Sequence, residues 1–539
     1  MRYLSENKRE DMRMKKRTAA RSMAALMGAA MVLTACGGGN TTAPTTGASS
    51  GGETQTASES AESGKITKTD IVVGQASDIV TLDPAGQQDT TSGVLMKHAY
   101  STLLDVDNEG KVVPDLAESY EMKSDTEYVF KLREDACFWD GTPVTAQDVK
   151  FSLDRAKGMP KTKSNTSKIE EVTVNGDHEV TIKLTEPYAA FKTIVTQHNL
   201  SILSEKAVTE AGDSYGDVDN LLGSGPFKVT EWVPNDHYTL VRNDNYWGEM
   251  PIATSITCRV IPEGSARTIA LEAGEIDVVW SVDPTDCANV ESNPDVKLLS
   301  QPSTGIDYVG MNTQKEKFSD KRVRQAINYA LDKQTFVDTI IEGRGLVANS
   351  YINAAIPGWT DEVEAYPYDP EKAKELLAEA GYPDGFECSI FVNGDLRTRS
   401  AQLADVGIKV DISTYEWGAL LDTLNAGEHE MFLLGWSNTS FDPDGSTYQL
   451  FYSGNHGATG NRAFFSNDKV DELILSAQRE SEESKRMELY KELQFVLHDE
   501  SPWCPLYYKE NNVGVRADLK GFTLHAGAQH YLGNCHYEE

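Results

Sequence analysis

The stretch Gly435–Gly445, GWSNTSFDPDG, gathers an indole, four small polar side chains and two carboxylates around one proline. Three chemistries fit such a set: a calcium loop, a clasp for a polar ligand, or a self-capped turn. An EF-hand needs glycine at the sixth loop position and glutamate at the twelfth. Counted from Asp442, the glycine is fourth (Gly445) and the twelfth residue is Ser453, so that reading fails. A single carboxylate meeting a metal stays open, as does Asp442 or Asp444 capping the proline turn. Nucleophilic chemistry finds less. Ser466–Lys469 (SNDK) fits S-x-x-K without an S-D-N or K-T-G partner, and GSGPF at Gly223–Phe227 is not a G-x-S-x-G elbow. His178-Glu179 and His429-Glu430 lack the second histidine of a zinc-protease helix. Carboxylate pairs for glycoside hydrolysis are uninformative in a chain with 83 acidic residues. No catalytic centre, metal site or cofactor motif emerges.

The elements that must position this loop are of mixed type. MFLLGW (Met431–Trp436) and GIKVDISTYEW (Gly407–Trp417) read as strands that end in Trp436 and Trp417, where cleft-lining loops begin. Either indole equally suits a core. Between Ser319 and Ile341, Val323, Ala326, Ile327, Ala330, Leu331, Val337, Ile340 and Ile341 recur at helical period, predicting one long helix ended by Gly343. A second helix is fully punctuated: Asp369 as N-cap, Pro370 at N1, Ala373, Leu376, Leu377 and Ala380 inward, and Gly381 as C′. A third runs from Ser484 and is closed by Pro502. Upstream, Thr126–Leu132 and His178–Leu184 alternate apolar and polar residues as half-buried antiparallel strands do. Between them Thr145 and Asp148 form a capping box for a helix with Val149 and Leu153 on one face. The pattern is α/β.

The N-terminus has the charged-then-apolar order of an export signal, with RMKKRTAAR ahead of SMAALMGAAMVLTAC. Leu33–Cys36 (LTAC) reads as a lipobox with Cys36 as the lipidated residue; a signal with a chance cysteine is the alternative. Met1, Met12 and Met14 all remain possible starts. Residues 36–64 lack large apolar side chains and read as a flexible tether. The body from Lys65 onward is long enough for two or three domains. Removing residues 1–35, with 8 basic and 3 acidic groups, takes the net charge from −33 to −38, which argues against nucleic acid as a partner. The six remaining cysteines show no C-x-x-C spacing, and Cys258–Cys287 or Cys504–Cys535 are conceivable disulfides in an exported protein.

Ordered segments then carry a resemblance. LREDACFWDGTPVTAQDVKFSLDR (Leu132–Arg155), GSGPFKVTEWVPNDHYTLVRNDNYWG (Gly223–Gly248), LEAGEIDVV, VRQAINYALDK, YPYDPEKAKELLAEAGYP and RMELYKELQFVLHDESP follow one another over residues 70–520. Together they resemble the extracytoplasmic solute-binding proteins of peptide and nickel ABC importers, family 5, especially dipeptide- and oligopeptide-binding lipoproteins. The resemblance implies a two-lobed, periplasmic-binding-protein type II-like α/β architecture with a central ligand cleft. Residues 65–104, 222–310 and 505–539 would form a discontinuous domain I, 105–221 an inserted domain II, and 311–504 domain III. It implies a monomer on the extracytoplasmic face of the membrane, held by lipid on Cys36. There it would capture a peptide-like solute by lobe closure, without chemical turnover, and deliver it to an ABC permease driven by a separate ATPase. Nickel complexes or another small solute are the alternative cargo; a secreted lipoprotein hydrolase and an adhesin or sensor are the rival classes.

For the site, the resemblance implies Thr91 and Ser92 of DTTSG, Trp417, Trp436, and the loop residues Ser437, Thr439, Asp442 and Asp444. It also exposes departures. Thr439 stands where dipeptide binders carry an Asp for the α-ammonium. Their arginine for the α-carboxylate maps near Phe391, with Arg397 and Arg399 the nearest basic residues. Asp442 or Asp444 could supply the missing carboxylate. Without it, little preference for free over N-acetylated dipeptides is expected, and Thr439→Asp should favour the free amine. NGDLRTRSAQLADVGIKV is about five residues short, nearly a turn and a half of helix, so a truncated helix is expected, which could shift GIKVDIS or leave a weakly packed lobe.

Overall fold

The computed structural model describes residues 65–539 apart from 394–396. The expected signal segment 1–35, Cys36 and the tether 36–64 lie outside the described residues.

Two long antiparallel strands, Val296–Met311 and Trp503–Arg516, organise the rest. Val296–Ser300 pairs with Asn512–Arg516, and the latter strand continues the sheet through Val278–Val279. Beyond the register shift between Pro302 and Ile306, Gly305–Met311 pairs along its other edge with Met431–Ser437. Proline has no N–H for the ladder, which fits an irregularity at Pro302. The same two strands therefore serve two flanks of one mixed sheet. Toward one edge the order continues through Asp70–Gln75, Ser255–Val260, His237–Arg242 and Phe227–Val233; toward the other, through Met431–Ser437, Phe386–Val392 and Ile408–Thr414. Trp503 stacks on Tyr308 across the paired strands, ring centroids 3.5 Å apart, with both residues buried.

A separate four-stranded antiparallel sheet is built from Ala117–Ser124, Glu127–Leu132, Glu179–Leu184 and Ile169–Val174. The predicted alternation holds: Tyr128, Phe130 and Leu132 pack with Val180, Ile182 and Leu184 on one face. Helix Ala146–Lys157 covers that face with Val149 and Leu153, and its capping box is complete. Burying a large apolar side chain contributes about 1.5–3 kcal/mol, so this module carries a core of its own.

The helix at Pro370–Glu379 forms as punctuated, with Asp369 accepting from Lys372 N. The helix at Glu483–Glu500 ends on Ser501, which adopts a left-handed cap at φ 48° ahead of Pro502. The single long helix expected over Ser319–Ile341 is instead two, Lys321–Ala330 and Lys333–Thr339. Leu331 is extended between them, and the Asp332 carboxylate accepts from Thr335 N at 2.9 Å, starting the second helix. A local N-cap outcompetes continuation of the stripe, which leaves Ile340 41% exposed.

Neither conceivable disulfide forms. Cys258 and Cys535 sit in one apolar core, Cys287 in a second and Cys504 in a third, so the suggested partners never meet. A helix spans Arg397–Asp405 ahead of the GIKVDIS strand. Ile408–Thr414 pairs in parallel register with Phe386–Val392 along its whole length, with Leu403, Val406 and Ile408 buried.

Candidate functional site

A cavity of about 400 Å³ lies against the Met431–Ser437 strand, within the roughly 300–1,000 Å³ typical of small-molecule sites. Its walls come from distant parts of the chain. One is the start of helix Thr90–Ala99, through Asp89 and Thr91; another is the turn at Gln197–Asn199 beside the four-stranded sheet; a third is the second flank, through Trp417, Trp436 and Ser437. Asp307 and Lys509, on the paired long strands, contribute the floor.

The structure divides the expected site residues. Thr91, Trp417, Trp436, Ser437 and Thr439 line the cavity; Ser92, Asp442 and Asp444 do not. Ser92 is fully buried, its hydroxyl accepting from Val80 N at 3.0 Å. Trp417 begins helix Trp417–Asn425 rather than ending a strand. The Trp436 indole N–H donates to Gly445 O at 3.1 Å, and that bond turns the loop back toward its own strand.

The loop is held by its polar side chains. Asn438 Nδ2 donates to Asp442 O and to Ser446 Oγ, and Asn438 Oδ1 accepts from Ser440 N and Oγ. Asp442 is buried in a bidentate pair with Arg486, at 2.8 and 2.5 Å. Asp444 Oδ2 accepts from Tyr188 OH at 2.6 Å, and Oδ1 from Gln478 Nε2 at 2.9 Å. Burial, with Asp442 nearby, pushes the Asp444 carboxyl up to about 6. Both carboxylates are thus engaged by protein groups, and the expectation that either offers itself to a ligand gives way to a structural role. The loop is half a cavity wall and half a buried polar network.

Other residues supply the charge. Asp89 caps helix Thr90–Ala99, its Oδ1 accepting from Ser92 N at 2.9 Å. Asp89 Oδ2 is shut off from solvent without a hydrogen-bond partner, as is the Trp417 indole nitrogen. Burial raises the Asp89 carboxyl; Ser92, Lys161 and the nearby Trp417 N–H oppose the shift. The indole thus stands close enough to act on the carboxylate, although the pair falls short of hydrogen-bond geometry. Arg462, 6% exposed, lines the cavity and donates from Nε to Asn425 Oδ1 at 3.0 Å. Burial lowers its guanidinium from the ordinary value, opposed by Tyr308 and Asp89. Asp307 is matched internally, by Lys509 at 3.3 Å and by the Tyr507 hydroxyl at 2.8 Å. A Cβ on Gly435 would stand 2.5 Å from Asp307 Oδ1, so a larger residue there would push that carboxylate aside. His198 also lines the cavity, and burial lowers it to about 3, so it is neutral at ordinary pH.

Sequence reasoning reached one side of the cavity and missed Asp89, Asp307, Arg462, Lys509 and Gln197. Asp89 opens the quoted DTTSG and could have been found as the N-cap of that helix. The others are single polar residues with no local spacing to mark them.

The fold and the cavity meet in the comparisons with known proteins. The profile of bacterial extracellular solute-binding proteins, family 5 Middle, matches residues 111–458. The glutathione-binding protein GsiB of Escherichia coli O157:H7 is 31% identical over 479 residues, covering 84% of this chain and 92% of that protein. Among solved structures, DppA from Helicobacter pylori in complex with the peptide STSA has a TM-score of 0.83 at 28% identity, covering 88% of this chain and 99% of that one. The oligopeptide-binding protein AppA from Bacillus subtilis, in complex with a nonapeptide, has a TM-score of 0.80 at 26% identity, covering 88% and 100%. These relatives are binding proteins with the same type II mixed α/β architecture. The profile match, spanning both the four-stranded sheet and the cavity-lining strand, places this chain in the bacterial extracellular solute-binding proteins, family 5.

Proposed function

We propose that the protein captures a peptide-like solute in this cavity, releases it chemically unchanged, and delivers it to an ABC permease whose ATPase is a separate protein. The observation that carries this reading is the cavity itself: a cleft of about 400 Å³ whose walls come from three separate parts of the fold. Contacts between residues 105–221 and 311–504 support it further. Thr439 Oγ1 donates to Gln197 Oε1 at 2.9 Å, Ala189 N to Gln478 O at 2.8 Å, and Ser167 Oγ lies 3.0 Å from Tyr448 OH. They are the contacts a closed state would make.

In this reading domain I comprises 65–104, 222–310 and 505–539, domain II 105–221 and domain III 311–504. The lobes pivot where the long-strand ladder loses register, near Pro302–Ile306 opposite Tyr508–Glu510. A solute touching both lobes favours the closed form, which a permease then recognises. Cys36 carries lipid and keeps the protein on the extracytoplasmic membrane surface. Among the described residues no helix is long and apolar enough to cross a membrane.

Thermal-shift screening of the mature protein against peptide pools tests the reading. A bound solute at 1,000 times its dissociation constant adds about 4 kcal/mol of apparent stability. A clear rise in Tm with peptides is expected; no rise with any pool contradicts a peptide-like cargo.

A further inference from the structure

We infer that Asp89 and Arg462 form a dipolar clamp that selects a solute carrying both an ammonium and a carboxylate group. This rests on the peptide-like reading above and narrows it to zwitterions with free ends. Among the described residues four charged side chains line the cavity: Asp89, Asp307, Arg462 and Lys509. Asp307 and Lys509 neutralise each other at 3.3 Å. Asp89 favours the charged form of Arg462, yet among the described residues neither has an ion-pair partner within 4.0 Å.

A buried charge without a counter-ion is costly, and proteins place such groups where something else completes them. Here each retains unused capacity. Asp89 Oδ2 is enclosed and accepts no hydrogen bond. Its backbone anchor through Ser92 N fixes the carboxylate at the cavity edge. The Arg462 guanidinium is held at Nε by Asn425, and its terminal nitrogens make no hydrogen bond among the described residues. A guanidinium pinned at one nitrogen still offers paired N–H groups to a carboxylate. Asp89 lines the cavity from the start of helix Thr90–Ala99, and Arg462 lines it from a segment held by Asn425. A solute bridging them would neutralise both and draw the walls together.

This alters the expectation drawn from Thr439. That residue cannot ion-pair an ammonium, but Asp89 supplies a carboxylate from another wall. Discrimination for a free amine therefore returns by a different residue.

The test uses the mature protein and synthetic tripeptide pools of one composition in four forms: free, N-acetylated, C-amidated, and blocked at both ends. Bound peptides are released by acid and quantified by mass. The native protein should retain the free pool at least tenfold over either singly blocked pool. Arg462→Gln should lose discrimination against the amide and keep it against the acetyl form, and Asp89→Asn the reverse. Equal retention of free and amidated peptides by the native protein overturns the clamp, as does native-like discrimination in a folded R462Q. Should all four pools be ignored, the peptide-like reading falls and Arg462 is judged separately, by thermal shift with small amino acids and their methyl esters. Acids raising Tm where esters do not, with the difference lost in R462Q, would uphold the clamp for another zwitterion. No response to either set overturns it.

Discussion

Tyr188 donates a 2.6 Å hydrogen bond to Asp444 Oδ2, joining the segment after the four-stranded sheet to the loop that walls the cavity. Both residues are buried. A hydrogen bond to a charged group contributes about 1.5–3 kcal/mol. If the contact forms on closure, its loss appears chiefly in affinity rather than in the stability of either part. Tyr188→Phe should weaken solute binding by about tenfold or more in calorimetric titration. Unchanged affinity with reduced Tm would make the contact purely structural.

The same carboxylate predicts a pH dependence. Burial and the neighbouring Asp442 raise Asp444 to about 6 from an ordinary 3.8. The folded state therefore holds this proton more tightly than the unfolded state. The contribution to stability is fully present below about pH 3.8, declines as pH rises through about 6, and is constant above. Denaturant titrations of native protein and Asp444→Asn should diverge across that window, the native protein losing stability relative to the variant as pH rises. Parallel curves would show that Asp444 titrates normally.

Asp442 and Arg486 form a buried bidentate pair beneath the loop. Removing one partner of such a pair costs about 3–5 kcal/mol, because the other charge stays buried alone. Asp442→Ala should reach that range in chemical denaturation, and adding Arg486→Met should recover much of it. A cost under about 1 kcal/mol would place the pair with surface ion pairs.

These carboxylates show where the sequence was legible and where it was not. Helix Pro370–Glu379 was readable to its caps because Asp369, Pro370 and Gly381 act on their own backbone. The strands Glu127–Leu132 and Glu179–Leu184 were readable because alternation reports which face is buried. Leu331 misled, since an apolar stripe continues through a break that Asp332 decides by capping the following helix. In the loop, Trp436, Ser437 and Thr439 line the cavity. Asp442 and Asp444 do not, because their partners Arg486, Tyr188 and Gln478 come from elsewhere in the chain. Arg462 and Asp307 carried no local mark, and tertiary packing alone brings them to the cavity.

Cys36, outside the described residues, makes its own prediction. Cys36→Ala should leave the protein unprocessed or release it from the membrane, as fractionation and intact mass would show. A normally processed, membrane-bound C36A protein would contradict the lipobox reading.

The central claim is capture without chemistry, and mass balance on the bound solute tests it most directly. Mature protein is saturated with a defined peptide pool, freed of excess, held for hours, unfolded in acid, and its contents weighed by mass spectrometry. The account predicts close to one intact solute molecule per protein molecule and no accumulation of fragments. Fragments exceeding the amount of protein would mean turnover and contradict it.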